Sequence, residues 1–83
     1  MNDDSPISPP GDTIKEILGA TGMSEREFAK EMNMTVYQVR ELIEGSMIIT
    51  PDIADRLEHA LDVHHEIWIT MEWAYRDKLK TDR

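Results

Sequence analysis

The spacing of apolar residues between Ser24 and Ile43 limits what this chain can fold into more tightly than any other feature. Phe28, Ala29 and Met32 fall at i, i+1 and i+4, one face of a helix. Val39, Leu42 and Ile43 fall at i, i+3 and i+4, one face of a second. Asn33, between the two runs, tolerates the left-handed backbone that ends a helix. Two short helices joined by a tight turn follow, and small Ala29 lets the second cross closely over the first. Ser24 with Glu27 three residues on forms a capping box for the first helix, and Thr35 caps the second. Thr35, Val36, Tyr37, Gln38, Arg40 and Glu41 are then expected to face outward along one edge.

The flanking segments are helical by the same rules. Pro9-Pro10-Gly11 leads into a helix capped by Asp12, carrying Ile14, Ile17 and Leu18 on one face and ending at Gly22. Gly45 closes the third helix, and residues 46–49 form a loop in which Met47 and Ile48 either stand exposed or fold back on the core. Thr50-Pro51-Asp52 restarts the chain with a cap, a first-position proline and an acidic first turn. Ile53, Ala54, Leu57, Ala60 and Leu61 stripe that fourth helix. A turn over Asp62–His64 leads to a last helix from about His65 to Lys80, with Trp68, Met71, Tyr75 and Leu79 as its core stripe. No segment alternates as a half-buried strand does. The expected fold is all-α with five helices, preceded by a flexible tail over residues 1–10 and occupying residues 11–83.

With 83 residues the chain is long enough for one small domain with a limited core, which a partner copy would supplement. It has no cysteine, hence no disulfide framework and no thiolate metal site. No apolar run approaches the roughly 20 residues that span a bilayer, and the acidic, proline-bearing start does not read as a signal peptide. A soluble cytoplasmic protein is expected. Net charge is −8, from 9 basic and 17 acidic residues. It is spread as −2, −3 and −3 over residues 1–11, 12–45 and 46–83, so no segment is a basic arm. Such a surface suits a basic partner or plain solubility, and phosphate attraction has to come from local cations.

Pro10-Gly11 before Ile14 and Leu18, Met23-Ser24 before Phe28-Ala29, Met34-Thr35, Val39, Leu42-Ile43, Gly45, Ile49-Thr50-Pro51, Ala54, Leu57, and Trp68 with Tyr75 seven on together resemble the XRE/Cro-type helix-turn-helix domains of phage repressors. More narrowly the chain resembles their HigA-type antitoxin branch, over residues 10 to about 79. The resemblance implies a five-helix phage-repressor-like domain that dimerises on a palindromic operator, often in its own promoter. For the antitoxin branch it implies a small basic toxin, usually a ribosome-dependent ribonuclease, as partner. The start of the third helix reads bases in such domains, which here are Thr35, Val36, Tyr37, Gln38, Arg40 and Glu41. Ser24 and Arg26, at the start of the second helix, complete the candidate duplex contacts. The chain departs from the family at Glu25, Glu44, Ser46 and Met47. The first two place carboxylates where phosphate oxygens would sit, and Arg26, Lys30 and Arg40 are the cations available to compensate.

Individual residues keep two readings. Arg40 pairs with guanine or forms a surface ion pair with Glu44 or Glu41; Gln38 bonds adenine or phosphate, or is an ordinary exposed glutamine. Tyr37 and Val36 touch a thymine methyl or sugar edge, or are a half-exposed surface pair. Ile69 and Trp73, four apart and off the Trp68/Tyr75 stripe, suggest a homodimer contact on the last helix. His65-Glu66 opens like a zinc-protease helix, yet position 69 is Ile, and the adjacent His64 and His65 are expected to point apart. No metal site, cofactor or catalytic constellation is expected. The expected function is a DNA-binding repressor of its own promoter, the antitoxin of a HigBA-like toxin–antitoxin pair. The alternative is a protein-only interaction module that keeps the fold without DNA binding.

Overall fold

The computed structural model describes residues 9–81. Five helices follow in order: α1 (Pro10–Thr21), α2 (Glu25–Met32), α3 (Val36–Glu44), α4 (Pro51–Leu61) and α5 (His65–Thr81), with no strand among the described residues. Residues 1–8 of the expected tail lie outside the described residues. Pro10, assigned to that tail, is instead buried as the first residue of α1.

The helix ends follow local chemistry, with one correction. Pro9, not Asp12, stands at the N-cap of α1, and Asp12 lies in its first turn. Pro10 at N1 already supplies the required φ and has no amide, and the N3 amide of Asp12 donates to Pro9 O at 2.9 Å in place of a side-chain cap. Gly22, Asn33, Gly45 and Asp62 all take the left-handed conformation that ends the preceding helix. Thr50 accepts from the Ile53 amide at 3.2 Å and so opens α4.

Ile14 and Leu18 of α1, Phe28, Ala29 and Met32 of α2, and Val39, Leu42 and Ile43 of α3 meet in one core. Ala54, Leu57 and Leu61 of α4, Trp68 of α5 and Ile49 of the connecting loop complete it. α4 packs against α2 and α5, while α3 packs against α1 and α2. The α1–α3 approach is so close that a Cβ on Gly11 would lie 2.7 Å from Ile43 Cα and nearer still to its carbonyl. The α3–α4 loop splits the pair left open by the sequence: Met47 packs on the core and Ile48 stays exposed.

α5 corrects the expected stripe. Trp68 is buried and its indole N–H donates to Val63 O at 3.1 Å, but Leu79 is exposed, and the inward position one turn after Trp68 is Glu72, only 3% exposed. Arg76 satisfies that carboxylate at 2.7 Å through Nε and donates through the other end of its guanidinium to Gly45 O at 2.8 Å and Met47 O at 3.3 Å. This buried pair ties the exit of α3 to the last helix. At the α4–α5 junction, Glu58 accepts from the His65 amide at 3.2 Å and from its ring Nδ1 at 2.8 Å. The ring hydrogen bond holds the Glu58 carboxyl below its usual range, and the same bond pushes the His65 imidazole up.

Candidate nucleic-acid interface

The edge expected to face outward is built by two capping boxes. Ser24 Oγ accepts from the Glu27 amide at 3.0 Å while Glu27 Oε1 accepts from the Ser24 amide at 2.9 Å. Thr35 Oγ1 accepts from the Gln38 amide at 3.0 Å while Gln38 Oε1 accepts from the Thr35 amide at 2.9 Å. Each box satisfies two amides that a helix start leaves without partners and contributes about 1 kcal/mol. Each cap hydroxyl uses a lone pair inward, which leaves its proton to donate outward. Both helix starts therefore present a hydroxyl donor where the helix dipole is positive, a setting that favours an anionic oxygen.

The second box changes the reading of Gln38. Its carbonyl end is committed to the backbone, so only its NH2 group remains to bond a base or phosphate. The S/T-x-x-E/Q spacing that identified Ser24 with Glu27 also contains Thr35 with Gln38, so the signal was present in the sequence.

Behind this edge Val39, Leu42 and Ile43 are buried, and along it Tyr37 is 80% exposed, with Arg40 and Glu41 also outward. Val36 departs from the outward expectation: it is half-buried and packs against the core. Ser24, Arg26 and Lys30 are exposed on α2. Lys30, Asn33, Thr35 and Gln38 line a shallow groove beside the turn.

Arg40 takes neither of its anticipated partners Glu44 and Glu41. Its Nε lies 3.1 Å from Glu25 Oε1, with the two side chains 57% and 44% exposed. The pair bridges α3 to the first residue of α2, 15 positions apart in sequence. One of the two carboxylates that depart from the family pattern thus holds Arg40, the cation of the α3 edge. The turn is also braced from below. Arg56 of α4 donates to Met32 O at 3.1 Å and Asn33 O at 3.5 Å, and pairs with Asp52 at 3.1 Å. The Asp52 pair follows the i,i+4 spacing of α4, but no sequence signal marks the bonds from Arg56 to Met32 O and Asn33 O, which lie 24 and 23 residues away.

The expected partner face is partly revised. Trp73 is 74% exposed. Ile69, assigned with it, is half-buried and packs on the core; Ile48 instead shares an open groove with Trp73 and Arg76. No helix among the described residues is long and apolar enough to cross a membrane.

Comparison with known proteins agrees with this geometry. An uncharacterized HTH-type transcriptional regulator of Escherichia coli (strain K12), YddM, is 30% identical over 74 residues, covering 87% of this chain and 79% of that protein. The structure of an addiction module antidote protein of a HigA family from Coxiella burnetii superposes with a TM-score of 0.79 at 26% identity, over 90% of this chain and 83% of that one. The helix-turn-helix family model matches residues 14–68, from the first core residue of α1 to the buried tryptophan of α5. The chain belongs to the XRE-type helix-turn-helix family.

Proposed function

We propose that this protein is a sequence-specific DNA-binding transcriptional regulator, the antitoxin of a HigBA-like pair that represses its own promoter. The observation that carries the reading is the α3 edge, with Tyr37, Arg40 and Glu41 outward above the buried Val39, Leu42 and Ile43. In the bound state Ser24 and Thr35 donate their hydroxyl protons to phosphates, and Arg26 adds a cation beside them. Tyr37, the Gln38 NH2 group and Arg40 meet base edges in the major groove. Val36 supplies an apolar shoulder at the start of the helix, and Glu41 closes the reading edge. Two copies joined through the Trp73 side of α5, with Ile48 beside it and Ile69 beneath, would set two α3 helices in successive major grooves about 34 Å apart. The net charge of −8 suits a basic toxin as second partner. The family is one of regulators, not enzymes.

Fluorescence anisotropy with a labelled duplex from the protein's own upstream region, at low and at physiological salt, tests the reading. Specific submicromolar binding with a steep salt slope is expected. A protein-only interaction module is the second reading, favoured by the Arg40–Glu25 pair, which neutralises a cation the duplex needs. No binding tighter than micromolar at either salt would select it. Co-purification with the product of the adjacent reading frame tests the toxin.

A further inference from the structure

The expectation that His64 and His65 diverge rests on both lying in one helix, and only His65 does. Asp62 reverses the chain at φ 60°, and His64 precedes the first turn of α5. The rings come together, stacked with centroids 4.4 Å apart and planes 26° from parallel. Glu58 reaches the same place from the last turn of α4. Donor atoms of Glu58, His64 and His65 all lie within 4.8 Å of one another. Asp55 Oδ1, one turn earlier on α4, lies 3.8 Å from His65 Nδ1.

We propose that the α4–α5 junction is a binding site for a divalent transition-metal ion of the zinc class, held by the Glu58 carboxylate and the His64 and His65 imidazoles. Two imidazoles with one carboxylate select such ions over calcium or magnesium, which take all-oxygen sets. Three protein ligands leave a fourth position for water or Asp55. The donor distances need only modest change, but the stacked rings must part, because a bound ion lies in the plane of each imidazole and one ring has to turn about its side-chain torsions to aim its lone pair at the ion. Zinc bonds of about 2.0–2.1 Å set tetrahedral donor atoms about 3.3 Å apart. The His65–Glu58 separation of 2.8 Å therefore opens slightly, and the widest separation, up to 4.8 Å, closes by about 1.5 Å. These side chains are half-buried or exposed, so the movement is rotameric and leaves the core alone. His64 Nδ1 accepts from the Glu66 amide at 3.2 Å, which makes it the nitrogen carrying the lone pair. Coordination replaces that long bond, and at His65 it replaces the proton now shared with Glu58. The surrounding charge assists, since Asp55 and Glu66 also act on His65. A bound ion fastens the last helix to α4 across the turn.

Isothermal titration of the chelator-treated full chain with zinc chloride tests the site. One equivalent is expected to bind. Zinc at about 100 times the measured dissociation constant should raise the unfolding midpoint by about 15 °C. His64→Ala leaves the Glu58–His65 pair in place, gives up only the long exposed bond from the Glu66 amide, and should weaken binding at least tenfold, as should His65→Ala. His59→Ala, a surface histidine outside the cluster, should bind as the parent does. Cobalt(II) in place of zinc should give the visible bands of a low-coordinate ion in the parent and lose them in His64→Ala. Absence of binding at millimolar zinc, a stoichiometry above one, or equal loss in the His59→Ala control would overturn the proposal.

Discussion

Replacing Glu25 by glutamine should convert Arg40 from a tethered side chain into a duplex contact. The present pair is a single 3.1 Å approach between side chains about half exposed, so it contributes about 0.2–1 kcal/mol to the free protein. That is what Arg40 gives up when it turns to a phosphate or base. Glu25 adds a second cost in the complex. A carboxylate held near a phosphate in bulk water is repelled by about 1 kcal/mol at 4 Å, less with salt. Glu25→Gln removes both terms and keeps an amide that can donate to the backbone of the duplex. Affinity should rise by about 1–2 kcal/mol, roughly five- to thirtyfold. The log–log salt slope should steepen by about 0.9 if Arg40 gains one phosphate. Anisotropy titrations from 50 to 200 mM salt measure both quantities, and Glu25→Gln with Arg40→Ala should return the slope to the parent value. The melting midpoint should move only a few degrees, since α2 keeps its capping box. An unchanged affinity and slope in Glu25→Gln would refute the reasoning and remove Arg40 from the interface.

Other substitutions probe the frame around the edge. Gly11→Ala drives a methyl into the Ile43 backbone, where no side chain can yield; a loss of about 3 kcal/mol is expected, and an unchanged thermal midpoint would contradict the close α1–α3 approach. Arg76→Met strands Glu72 in the interior and frees the Gly45 and Met47 carbonyls, a loss of about 3–5 kcal/mol by denaturant unfolding. Glu72→Leu combined with it should recover most of that loss. Trp73→Asp should lower the mass in sedimentation equilibrium without shifting the monomer's unfolding; a parent already monomeric at high concentration would defeat the dimer face.

What the sequence disclosed and what it concealed divide along the range of the interaction. The caps at Ser24, Asn33, Thr35, Gly45 and Thr50 are settled by neighbours within four residues, and all five stand as the sequence implies. The core faces of α2, α3 and α4 are equally legible, since each is a repeat of apolar side chains at helical spacing. α5 defeated that method. An apolar pattern gives an inward glutamate no weight and so runs on to Leu79, whereas Glu72, matched by Arg76, occupies the inside. The site failed for a related reason. Helical spacing pairs Arg40 only with acids on its own helix, whereas its partner Glu25 lies on α2. Arg56 supports the turn from α4, a contact no local spacing encodes. Gln38 is legible too, since its spacing from Thr35 is that of a capping box and commits its carbonyl end to the Thr35 amide.

Arg76 sets how far apart the two jobs proposed for this small domain can be. One guanidinium grips the carbonyls where α3 leaves off, and three residues earlier on the same helix Trp73 stands in solvent. Whatever leans on the outer flank of the final helix is thus a single side chain removed from the rod that would lie in the groove. In a domain this small, holding a companion and holding a duplex would have almost no mechanical insulation between them.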